Sequence, residues 1–82
     1  MAASLADLHR WWEQGVASHA THLIVVCDTF EYDDYPVYVL PGTDPREVYG
    51  KYHGQNMQRV MGVYRLDQDR DTQLARPHVA HF

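Results

Sequence analysis

Leu23, Ile24, Val25, Val26 and Cys27 follow one another without a polar residue in a chain of 82 residues. Neighbouring side chains on a strand point to opposite faces, so this run predicts a strand covered on both sides. It is the longest apolar run in the chain. Roughly 20 such residues are needed to span a bilayer, so no membrane-spanning segment is expected. A chain of this length forms one domain at most and buries only roughly 60 to 65 % of the surface its unfolded form exposes. Marginal stability or self-association is the consequence.

Ser4 and Asp7 have the form of a capping box, and Leu5, Leu8, Trp12 and Val16 recur after it at helical spacing. These signals predict an amphipathic helix over about residues 5 to 17, with Trp12 in mid-stripe and Trp11 at its edge, at best half covered. The first strand is expected over about residues 21 to 27 and a second over about 36 to 40, paired antiparallel and opening at Pro36, which has no N–H to donate. Asp44, Pro45 and Glu47 supply an N-cap, a first-turn proline and an acidic third position, so a short helix begins there. It carries Val48, Tyr49 and Tyr52 on one side and stops at Gly54.

Met57 to Leu66 alternates as a third strand, with Val60, Gly62, Tyr64 and Leu66 on one face. Asp67 to Leu74 has the form of a short capped helix with little to bury, Pro77 ends it, and residues 77–82 read as a mobile tail. The expected fold class is α+β, with residues 1–82 forming a single domain. A small, mainly antiparallel three-stranded sheet and two helices follow the order α-β-β-α-β in one layer pair, plus an optional short C-terminal helix.

The formal charge is −4, and the seven basic residues, of which only Lys51 is lysine, are scattered. Duplex nucleic acid is not an expected partner, because its phosphates select a continuous basic stripe. Six histidines make partner electrostatics sensitive to pH as it falls towards about 6. The N-terminus has neither a basic region nor a long apolar stretch, so it does not read as a secretory signal and a cytoplasmic location is expected. Cys27 is the single cysteine, which excludes an internal disulfide, and its place at the end of an apolar strand suits a small hydrophobe.

Asp28 to Pro36 puts four carboxylates and three aromatic rings into nine residues between two predicted strands, more chemistry than a tight hairpin needs. Hard cations select carboxylate oxygens, so Asp28, Asp33 and Asp34 are the candidate ligands of a metal-dependent, hydrolase-like enzyme. The spacing lacks the alternating aspartates, glycine and closing glutamate of a calcium loop, and acidic residues on a strand connection are most often a solvated loop. No metal or other cofactor is expected. Zinc would need four well-spaced ligands, for which one cysteine and no helical histidine pair are a poor supply. Cys27, His22 and Asp28 cannot form a nucleophilic site within one strand, because Cys27 and Asp28 alternate faces and His22 lies roughly 16 Å from Cys27.

Tyr49, Lys51, Tyr52, His53, Gln55, Asn56, Gln58 and Arg59 form a second polar and aromatic stretch, suited to stacking and directional hydrogen bonds. The alternative is that Tyr49 and Tyr52 cap the core while the polar groups face water. The candidate ligand- or partner-binding residues are Phe30, Tyr32, Asp33, Asp34, Tyr35, Tyr52, His53, Asn56 and Arg59. No catalytic residue and no metal ligand is assigned.

Trp11-Trp12-Glu13-x-Gly15, Ala20 to Phe30, Asp34 to Val39 and Asn56 to Met61 together resemble a family of small, functionally uncharacterised proteins of tailed bacteriophages and prophages. The resemblance covers most of the chain. It implies an accessory protein acting in the cytoplasm of a bacterial host, where small phage proteins bind and inhibit a host factor or sequester a small-molecule signal. It supplies no catalytic residue.

The leading expectation is a non-enzymatic binding module that takes a host protein or a small-molecule ligand through the Phe30 to Tyr35 loop and the Tyr52 to Arg59 surface. Homodimerisation is expected through the Val37-Tyr38-Val39 edge or the exposed edge of Trp11. The alternatives are the metal-dependent enzyme and a virion structural protein.

Overall fold

β1 (His22–Asp28) is the middle strand of a three-stranded sheet ordered β2-β1-β3, and both β2 (Asp33–Val39) and β3 (Gln58–Arg65) run antiparallel to it. This computed structural model describes residues 3–55, 57–75 and 80–82. The central place of β1 explains its composition, because each face then meets a separate core. Leu23 and Val25 point into a cluster with Trp11, Trp12, Tyr64 and Leu74. Ile24 and Val26 point the other way, against Val39 and Val63, with Val48, Tyr49 and Tyr52 packed around them. Each fully buried side chain of this size contributes about 1.5–3 kcal/mol.

α1 (Leu5–Ala17) and α3 (Arg70–Leu74) cover the first face, and α2 (Pro45–Tyr52) covers the second. The order is α-β-β-α-β-α in an α+β fold, as the sequence predicts. The layering differs from the expected single pair, since helices flank both faces of the sheet. No helix among the described residues is long and apolar enough to cross a membrane.

α1 starts where the capping box puts it. The Asp7 N–H donates to Ser4 Oγ at 3.1 Å and the Ser4 N–H returns a bond to Asp7 Oδ2 at 3.1 Å. It ends in a Schellman arrangement, in which His19 takes a φ of 60° while the His19 and Ala20 N–H groups donate to the carbonyls of Val16 and Gly15. The buried stripe is Trp11, Trp12 and Gly15, with Leu8 half-buried beside it, whereas Leu5 and Val16 are exposed. Trp11 is therefore core and not the half-covered edge expected. α3 widens the covered arc by packing on α1, adding Leu74 to the same cluster and pairing Arg70 with Glu13 at 2.9 Å. Gly15 permits the close approach of helix and sheet, because a Cβ there would lie 2.8 Å from Leu66 Cδ1 and 3.2 Å from the Tyr38 ring.

β2 begins at Asp33, three residues before the expected start, so Asp33, Asp34 and Tyr35 are strand residues opposite Asp28, Cys27 and Val26. The long loop of the sequence reading shortens to residues 29–32. β3 carries a bulge: Gly62 lies opposite Val25 and Val60 opposite Val26, leaving Met61 as the extra residue. The bulge breaks the expected alternation. Val60 packs with Val63 on the α2 face, whereas Tyr64 and Leu66 pack on the α1 face.

The expected mobile tail divides. Residues 77–79 lie outside the described residues, while Ala80 bridges Val63 in parallel and the His81 N–H donates to the Val63 carbonyl at 2.9 Å. The Phe82 ring meets Tyr49 edge-on at 5.4 Å and lies 5.0 Å beneath the Arg46 guanidinium.

Candidate functional site

The β1–β2 turn is tied down by its own backbone. The Tyr32 N–H donates to the Asp28 carbonyl at 2.6 Å, and the Phe30 N–H donates to Asp28 Oδ1 at 2.9 Å, an Asx-turn that fixes the chain as it leaves β1. Thr29 joins this turn to the start of β3, because its N–H and hydroxyl both donate to the Met57 carbonyl, at 2.8 and 2.7 Å. Tyr32 and Met57 hold φ values of 58° and 59°, a left-handed conformation that non-glycine residues seldom adopt.

The side chains on this braced backbone face solvent. Phe30 exposes 70 % of its surface, Tyr32 65 % and Met57 58 %. Exposed aromatic and thioether side chains therefore stand at one end of the sheet on a turn held by these hydrogen bonds. Its alternation assigns Met57 to the third strand, which leaves it out of the candidate residues. The polar run Gly54-Gln55-Asn56 just before it is a turn signal that would have separated it from the strand.

Strand alternation divides the candidate residues around this tip. Asp34 and Arg59 flank Cys27 in register, on the α1 face of the sheet, where Asp34 Oδ2 accepts the Ala3 N–H at 2.9 Å. Burial, and then Asp34, push the Cys27 thiol up from its ordinary range, which keeps it protonated and a poor nucleophile. Asp28 and Asp33 form the next pair, on the opposite face. Asp34 thus cannot converge with Asp28 and Asp33 on one ion. Among the described residues no group of three His, Cys, Asp or Glu side chains is placed to hold a metal.

Tyr35 and Tyr52 come together on the α2 face, their rings edge to face with centroids 6.5 Å apart, and the Gln58 side-chain amide donates to the Tyr35 hydroxyl. Burial, followed by Tyr52 and Asp28, pushes the Tyr35 hydroxyl up from its ordinary range. His53 stacks on Tyr49 at 4.8 Å, and its Nδ1 accepts the Val60 N–H at 3.4 Å. Tyr35, Tyr49 and Tyr52 are thus packing residues of the second core, and His53 closes the end of α2. Asn56 lies outside the described residues. Of the nine candidates, Phe30 and Tyr32 remain at the exposed tip, with Asp33 beginning the strand beside them.

A groove of about 420 Å³ lies at the other end of β1, lined by Val16, Thr21, His22, Arg65, Leu66 and Asp67 among others. Several of its polar groups bond to one another. Arg65 grips Asp67 through Nε at 3.1 Å and Nη2 at 2.8 Å, and the His22 ring nitrogens lie 2.9 Å from Thr21 Oγ1 and 2.9 Å from the Phe82 oxygen. Among the described residues no buried side-chain polar atom lacks a partner. No family model, curated protein or solved structure matches the chain.

Proposed function

We propose that this chain is a small non-enzymatic binding module that engages a host protein through the tip of the β1–β2 hairpin. One observation carries the proposal: Phe30, Tyr32 and Met57 are largely exposed on a hydrogen-bonded turn. Aromatic and other large apolar side chains concentrate binding energy when a partner desolvates them, and a braced turn reduces the ordering cost of doing so. A projecting tip suits a protein surface better than a small ligand, which binds in concave sites. The accessory role in a bacterial host implied by the phage-protein resemblance fits such a module.

Self-association belongs to the same reading. The Trp11 edge drops out as an interface because it is buried, which leaves β2 as the sheet edge with no strand on its outer side among the described residues. Pro36 sits in the middle of that edge and has no N–H to donate, so a second copy pairs with β2 through the groups on either side of it.

The test is capture from bacterial lysate on the full chain and on the Phe30→Ala/Tyr32→Ala variant. Proteins held by the wild type are expected to be lost from the variant while its melting temperature stays close to the wild-type value, because neither side chain is in the core. Equal capture by both baits contradicts the proposal.

A further inference from the structure

The apolar tip is set in an acidic surround, and that surround specifies the partner. From Trp11 to Pro45 the chain contains no lysine or arginine, while Asp28, Glu31, Asp33 and Asp34 fall inside or beside the turn. The nearest cation in the sheet register is Arg59, opposite Cys27. Asp28 accepts the Phe30 N–H and Asp34 turns to the α1 face, so a partner that covers Phe30, Tyr32 and Met57 meets chiefly Glu31 and Asp33. An apolar partner would take water from these charged groups and offer them no opposite charge, which is costly. A second copy brings the same charges to the same place, and anionic lipid or nucleic-acid phosphate repels them likewise.

We infer that the tip binds a protein surface in which an apolar recess is bordered by lysine and arginine. The inference rests on the reading of the tip as the binding surface and adds the chemistry of what it meets. Phe30 and Tyr32 enter the recess, with Met57 against its wall, and the carboxylates pair with the basic border. Charge of this kind mainly speeds encounter and rejects wrong partners, while the apolar trio supplies the holding energy.

A library of random short peptides displayed on yeast, panned on the full chain and depleted on the Phe30→Ala/Tyr32→Ala variant, tests this directly. The expected survivors carry Lys or Arg beside Leu, Ile, Met or Trp. As synthetic peptides they should bind the wild type about tenfold or more tightly than the Phe30→Ala/Tyr32→Ala variant. They should also weaken on Glu31→Lys, a substitution on the exposed turn, and as salt is raised. Neutral or acidic survivors, or basic ones indifferent to Glu31→Lys and to salt, overturn the inference and leave the hairpin tip as the binding surface. Failure to recover any peptide that depends on Phe30 and Tyr32 overturns both.

Discussion

Trp11 and Trp12 are adjacent on α1 and expose only 8 % and 5 % of their surface, and Val25 beneath them exposes 3 %. Trp11→Ala and Trp12→Ala are each expected to cost about 3–5 kcal/mol, since each leaves a large cavity. Val25→Asp buries an unpaired charge and is expected to leave the chain unfolded. Thermal melts check all three, and a wild-type melt for Trp11→Ala would show that its side of α1 is open. The burial of Val25 and Trp12 could be read from the sequence, because an unbroken apolar strand and a central stripe position constrain a side chain locally. Trp11 could not be read that way, since the wider cover over α1 comes from α3, a helix five residues long. At the tip, Met57 combines a φ of 59° with an exposed side chain, so it stabilises nothing by burial and pays a conformational cost. Met57→Asn is expected to raise stability by about 1 kcal/mol in denaturant titration, because asparagine tolerates the left-handed region.

At the scale of elements, α1 and α3 are fastened by carboxylates at their starts, which makes them sensitive to acid. Asp7 is held below the ordinary carboxylate range by the backbone N–H of Ser4, then by the Ser4 hydroxyl and Arg10. Asp69 is held low by the Thr72 hydroxyl and then its backbone N–H, and Asp67 by the Arg65 guanidinium. Each proton is bound less readily in the folded chain than in the unfolded one. The stability these groups add is therefore complete above the ordinary carboxylate value, about 4, and is lost as pH falls through the lowered values. The melting temperature is expected to hold from neutral pH to about 5 and to fall below about 4, with a shallower fall in Ser4→Ala, where Asp7 has lost one of its bonds. An unchanged melting temperature at low pH contradicts this assignment.

Other elements show where local signals stop. Asp33-Asp34-Tyr35-Pro36 reads as a turn by propensity, yet pairing with β1 recruits it into β2. Tertiary pairing decides there, and it scatters the acidic and aromatic residues over two faces of the sheet. The bulge at Met61 is invisible to an alternation pattern for the same reason, since it is defined by the partner strand.

The whole molecule is a thin sheet with a separate small core on each face, and its C-terminal residues complete the second. Ala80 and His81 run beside Val63, which covers part of the outer edge of β3 and leaves β2 open. Sedimentation at micromolar concentration is expected to show a species heavier than the 9.5 kDa chain, formed through β2. A clean monomer contradicts the homodimer. The two ends of the molecule differ in what they offer. At one end, Arg65 and His22 of the groove bond to Asp67, Thr21 and Phe82 within the chain. At the other, the structure spends its turn hydrogen bonds on holding apolar side chains in water.

That contrast singles out the hairpin tip as the proposed binding surface, and the dissociation constant of a captured partner, purified and titrated against wild type and the Phe30→Ala/Tyr32→Ala variant, checks it. Binding is expected to be at least about tenfold weaker in the variant, with an unchanged melting temperature. Equal dissociation constants for the two would contradict it.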